Sequence, residues 1–140
     1  MPNMNENQIG TVIVDASIHI HRTLGPGLLE SVYEIILAYE LEKRGLAVRR
    51  QVPVPIVYDH LTFEEGFRAD LIVNDLVILE LKSVTEITTA HRKQLQTYLR
   101  LTGRKLGYLL NFGEALMKDG VVRTVNNLPE PIGESEPSSG

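Results

Sequence analysis

Two acids and a lysine carry the strongest chemical signal in this sequence. The run Leu76-Val77-Ile78-Leu79-Glu80-Leu81-Lys82 is apolar on both faces, as in a central strand. Glu80 is embedded in it, and Lys82 follows on the same face because strand side chains alternate. A carboxylate in apolar surroundings is costly unless it is paired, protonated or bound to a metal. A plain Glu80–Lys82 ion pair at the end of the sheet is the simplest way to meet that cost. The preceding run, Phe67-Arg68-Ala69-Asp70-Leu71-Ile72-Val73, embeds Asp70 in the same manner. If the turn at Asn74 to Leu76 has three residues, Asp70 lies directly opposite Glu80, with β-carbons about 4.5 to 5.5 Å apart on one face. A two-residue turn would shift the pairing by one and weaken the case. Neighbouring carboxylates repel, so one pKa rises or a cation sits between them. An all-oxygen site suits Mg²⁺ or Mn²⁺ rather than a soft metal. Such an ion would polarise a phosphoryl oxygen and lower the pKa of a bound water. Lys82 would position that water or stabilise developing negative charge.

The helix expected after this strand adds Gln94 and Tyr98, four apart and on one face, with His91 on roughly the same side. Taken alone, Tyr98 reads as core with its hydroxyl at the surface, and Gln94 as merely exposed. Beside the two acids they form a polar stripe that can face a metal site, with Gln94 orienting a substrate phosphate or the lysine. Asp70, nine intervening residues and Glu80-Leu81-Lys82 together resemble the PD-(D/E)xK phosphodiesterase superfamily, whose fold is that of restriction endonucleases. Ala69 stands where that motif has proline. The fuller resemblance is to the GxxExxY family, a branch assigned to the superfamily, through Gly27-Leu28-Leu29-Glu30-Ser31-Val32-Tyr33. It covers about residues 8 to 127.

The resemblance implies metal-dependent hydrolysis of a nucleic-acid phosphodiester, DNA being the expected substrate. Asp70 and Glu80 would be metal ligands, the Leu81 carbonyl would complete the protein part of the shell, and Lys82 would act on the water. Glu30 would reach the same pocket from its helix, and Gln94 and Tyr98 match the helix motif of many such nucleases. Independently of any family, Glu30 and Tyr33 are three apart and share a helix face. For Tyr33, core packing competes with a place beside substrate. His91, Arg100 and Arg104 are further candidates for substrate contact. Gly27 is expected to serve backbone geometry and to bring its helix close to the sheet.

These residues must be held by a scaffold whose order is readable. Ile9, Val12, Ile13, Ala16 and Ile20 fall at helical spacing within residues 8 to 23. Leu24-Gly25-Pro26-Gly27 ends that helix. A second helix is expected over about 28 to 44, with Leu29, Val32, Ile36 and Tyr39 on its core side. Val48 to Tyr58 reads as an edge strand because Pro53 and Pro55 interrupt it. Strands are expected over 62 to 73 and 76 to 82, then a helix over about 88 to 102 capped by Thr88. A buried strand follows over 105 to 111, with a weaker hairpin signal around Asp119-Gly120. The expectation is an α/β (α+β) restriction-endonuclease-like domain over residues 1 to 128. Its mixed central sheet is flanked by helices in the order α-α-β-β-β-α-β-(β). The tail over 129 to 140, with three Pro, two Gly and three Ser, reads as disordered.

Bulk composition bounds the function. The 140 residues fit one domain, and the absence of cysteine excludes disulfides, thiolate metal sites and cysteine nucleophiles. With no signal-peptide pattern and no apolar run of about 18 to 20 residues, a cytoplasmic protein without membrane spans is expected. A net charge of −4 argues against a simple nucleic-acid-coating protein. Residues 87 to 113 nonetheless hold Arg92, Lys93, Arg100, Arg104 and Lys105 and no acid, and Lys43, Arg44, Arg49 and Arg50 form a second basic cluster. Specific DNA interfaces bury about 1,000 to 2,500 Å². A chain this small therefore dimerises, relies on a protein partner or recognises structure rather than sequence. His19 and His21 are two apart on a helix and cannot readily share a metal, and no P-loop, dinucleotide or serine-hydrolase pattern is present. The rival to an enzyme is a non-cleaving module that keeps the fold and binds nucleic acid or a partner.

Overall fold

The first helix starts where its sequence supplies a cap. In the computed structural model, which describes residues 3–130, the Asn5 side chain accepts from the Gln8 N–H at 2.8 Å and Gln8 returns a bond to the Asn5 N–H at 2.9 Å. Helix α1 then runs Glu6–Leu24 and buries Ile9, Ile13, Ala16 and Ile20 completely or nearly so. Helix α2 spans Glu30–Lys43. Its core face is Tyr33, Leu37, Ala38 and Leu41; of the expected Leu29, Val32, Ile36 and Tyr39, only Ile36 packs against that core, partly buried. Leu29 is 73% exposed and Tyr39 60%. Apolar residues lie all round this helix, so periodicity offers two competing faces. The chosen face buries the Tyr33 ring flat against Phe112, with centroids 4.4 Å apart.

Five strands form one sheet in the order β1-β2-β3-β4-β5. Strand β1 (Val48–Tyr58) is an edge strand, as its prolines require, and pairs antiparallel with β2 (Leu61–Val73). Strand β2 turns into β3 (Val77–Lys82) through Asn74-Asp75-Leu76. Asn74 and Asp75 both have φ near +55°, a conformation that Asn and Asp tolerate better than most residues (51° and 58°). The Asn74 N–H and side chain each bond Ala47, which fixes the turn to the start of β1. Helix α3 (Thr89–Thr102), capped by Thr88, carries the chain to β4 (Leu106–Asn111), parallel to β3. Both central strands are covered on both faces, which is why their sequences read as unbroken apolar runs. The expected hairpin at Asp119-Gly120 is instead a 3₁₀ turn (Met117–Gly120) leading into β5 (Val121–Val125), antiparallel to β4.

Two cores result. On one face α1 and α2 pack on Leu71, Leu79, Leu81 and Leu110. On the other, Leu95 and Leu99 of α3 pack on Ile72, Ile78 and Leu109. The expected tail from Pro129 lies, beyond Glu130, outside the described residues.

Candidate active site

The three-residue turn sets the site. Pairs Val73↔Val77, Ile72↔Ile78 and Leu71↔Leu79 run in register, and the next step brings Asp70 opposite Glu80. There the main-chain ladder gives way to side chains. The Asp70 N–H donates to Glu80 Oε2 at 3.0 Å, and the Leu81 N–H donates to Asp70 Oδ2 at 2.9 Å. Each acid thus satisfies a backbone donor at the point where β2 and β3 part.

Electrostatics follow from this placement. Glu80 is only 6% exposed, and burial first, then the Asp70 charge, pushes its pKa up to about 8. For Asp70, burial outweighs the Leu81 N–H bond and the Lys82 charge, so its pKa also rises. Metal-free, the pair holds a proton near neutrality, because two adjacent buried carboxylates are poorly ionised together. Lys82, two residues after Glu80 on β3, is half-buried, and its charge lowers both pKa values.

Around the pair, Glu30 in the first turn of α2 accepts a long bond from the Ser83 N–H (3.4 Å) and raises the pKa of Asp70. Ser83 Oγ donates to the Leu28 carbonyl at 2.7 Å, tying the start of α2 to the end of β3. An open depression of about 550 Å³ lies there, lined by Gly27, Leu28, Leu29, Glu30, Ser31 and Ser83. Gly27 has φ +102°, but a β-carbon there would meet nothing within 4 Å, so the glycine supplies conformation and not the expected close approach. On the α3 side, the Tyr98 ring stacks on Phe67 at 3.7 Å. The ring packs, half-buried, against the α3-side core, and burial with the charges of Glu80 and Asp70 raises its hydroxyl pKa. Gln94 lies one turn earlier on α3 and is exposed.

The other candidates sit elsewhere. Tyr33 is fully buried, its hydroxyl donating to the Gly25 carbonyl at 2.6 Å and accepting from the Leu28 N–H at 3.1 Å. It supports the loop before Glu30 from inside the core. His91 closes the α3 cap with Thr88. Arg100 is exposed. Arg104 binds Asp75 at 2.6 Å in the β2–β3 turn, at the end of β3 away from Lys82. Leu81 meets Asp70 through its N–H, and its side chain lies in the α1/α2 core.

Two residues escaped the sequence reading. Glu34, one turn after Glu30, is buried, accepts from Arg50 Nε at 3.1 Å and from Gln51 Nε2 at 2.8 Å, and raises the pKa of Glu80. Its i+4 spacing from Glu30 was a usable signal. Gln51 also reaches Asp70 Oδ1 at 3.5 Å, and nothing local marks it.

The donors suit a hard divalent cation: all are oxygens, and the facing carboxylates repel until a positive charge arrives. Among the described residues no three His, Asp or Glu side chains form a metal cluster, so two carboxylates would be completed by backbone oxygen and water. No curated protein matches the chain. A family model described as the PD-(D/E)XK nuclease superfamily matches residues 7–124. The mixed five-stranded sheet and its element order fit the restriction-endonuclease-like fold of that group. With the match reaching from α1 to β5, the chain belongs to the PD-(D/E)XK nuclease superfamily.

Proposed function

We propose that this protein hydrolyses phosphodiester bonds in nucleic acid, DNA being the expected substrate, with Mg²⁺ or Mn²⁺ held by Asp70 and Glu80. The observation that carries this reading is the reciprocal Asp70–Glu80 arrangement, with Lys82 two residues on along β3. The cation, with the Leu81 carbonyl as a further donor, would polarise a phosphoryl oxygen and acidify a water. The chain's own groups do the rest. Lys82 orients the attacking water and lowers the cost of negative charge building on phosphate. Gln94, solvent-facing one turn from Tyr98, is free to hold a phosphate oxygen. Glu30, which lines the open depression, takes a proton from water or holds its position. Gly27, Glu30 and Tyr33 also support assignment to the GxxExxY branch, with Tyr33 as the buttress of the loop.

The rival reading, a non-cleaving binding module that acts through a dimer or a protein partner, draws on two observations. The net charge is −4, and Arg104 of the basic segment is already paired with Asp75. A cleavage assay over single- and double-stranded DNA and RNA with Mg²⁺ and Mn²⁺ separates the two. The enzyme reading expects cleavage that Lys82→Ala abolishes with the fold intact. Binding without cleavage by the unaltered protein, undiminished in Lys82→Ala, supports the module.

A further inference from the structure

Gln51 is the one residue of β1 with a positive φ, +51°. Its neighbours remain in register, Arg50 with Leu71 and Val52 with Ala69, so the distortion is confined to one position. A left-handed, non-glycine residue costs about 1 to 2 kcal/mol, and such strain persists where surrounding interactions over-determine it. Those interactions are visible. Gln51 Nε2 donates to Glu34 Oε1 at 2.8 Å and reaches Asp70 Oδ1 at 3.5 Å. The other Glu34 oxygen accepts from Arg50 Nε and Nη2, at 3.1 and 3.0 Å. Glu34 needs a donor at Oε1, so the Gln51 amide nitrogen, not its oxygen, must face the acids. The result is a continuous path from Arg50 through Glu34 and Gln51 to Asp70, ending on the Leu81 N–H.

We propose that Gln51 is a positioning residue for Asp70, with its carboxamide oriented by Glu34. The Leu81 N–H holds Oδ2 from β3, and the Gln51 amide restrains Oδ1 from β1, so the carboxylate plane is set from both sides. At 3.5 Å the Gln51 contact is at the outer limit of a hydrogen bond, so it directs Oδ1 without competing strongly with a cation for it. This assignment rests on the reading of Asp70 as a metal ligand and adds to it the element that aims the ligand.

Gln51→Gly tests it with the fold protected, since glycine adopts φ +51° without strain. Its melting temperature is expected to fall by only a few degrees, because relief of the strain offsets much of the lost Glu34 hydrogen bond. In metal-free protein, hydrogen exchange of the Leu81 amide reports whether Oδ2 stays in place. The variant is expected to exchange there about tenfold faster than the unaltered chain, with neighbouring β3 amides unchanged. Calorimetric titration with MnCl₂ is expected to show affinity weaker by about 10- to 100-fold, the usual effect of losing a partner behind a ligand. Glu34→Met, which keeps the volume but removes the oxygen that orients the amide, is expected to move both readouts the same way. Unchanged Leu81 exchange in metal-free Gln51→Gly overturns the assignment, whatever the metal titration shows. An unaltered protein that binds no Mn²⁺ overturns the metal reading of Asp70 instead, whatever the exchange shows.

Discussion

Asp70 and Glu80 brace each other's strand while Asp70 disfavours the charge of Glu80: the Asp70 N–H rests on Glu80 Oε2, yet the Asp70 carboxylate raises the pKa of Glu80. That conflict gives the pair a use, because a cation placed beside it relieves the repulsion without disturbing the hydrogen bonds.

The first consequence is a dependence of stability on pH. The folded-state pKa of Glu80, about 8, lies above its ordinary value of 4.5. The folded chain therefore keeps a proton that the unfolded chain releases, and stability falls as pH rises from about 4.5 to about 8. Asp70 and Glu34 are shifted upward too and act in the same direction. In EDTA, thermal unfolding between pH 5 and 8 is expected to show a falling melting temperature, and Glu80→Gln a flatter profile. A wild-type melting temperature that rises over that range contradicts the shifts.

Tyr33 makes a separable prediction about the buttress. Tyr33→Phe keeps the ring on Phe112 but removes the hydroxyl that joins Gly25 and Leu28. Urea unfolding is expected to show a loss of about 1 to 3 kcal/mol, since the Leu28 N–H loses its partner. Tyr33→Ala should cost about 3 to 5 kcal/mol by leaving a cavity. A loss of activity in Tyr33→Phe with unchanged stability would argue instead for a direct role beside substrate.

For the basic segment, Arg100 and Arg104 should behave differently. Arg100 is exposed, whereas Arg104 is bound to Asp75. Filter binding to duplex DNA across a salt series is expected to show weaker binding and a shallower salt slope for Arg100→Ala. Arg104→Ala should leave both nearly unaltered. An equal loss in both variants would place the β2–β3 turn within the contact surface.

Gly27→Ala isolates backbone conformation from packing. A β-carbon there touches nothing, but φ is +102°. Destabilisation of about 1 to 2 kcal/mol in urea unfolding is expected from strain alone.

The order of elements and the pairing of the two acids were legible because both depend on local rules. The two embedded carboxylates stood out in the sequence, but their pairing hung on a turn of three residues, which left-handed Asn74 and Asp75 supply. The α2 face was not legible, because apolar residues surround the helix and partners far along the chain, Phe112 among them, decide which side is buried. The fate of Arg104 depends on an aspartate in a distant turn, and a charge count cannot see that pairing. Glu34 is readable from its i+4 spacing to Glu30. Gln51 carries no signal at all, since its role arises from a φ angle and two partners on other elements.

The most direct test of the central claim is calorimetric titration of the metal-free protein with MnCl₂ at pH 7, in two buffers of different ionisation enthalpy. The account predicts binding of Mn²⁺ with release of a proton from the carboxylate pair, and loss of binding by at least about 100-fold in Asp70→Asn and in Glu80→Gln. Binding that survives both substitutions, or no binding by the unaltered protein, would contradict it.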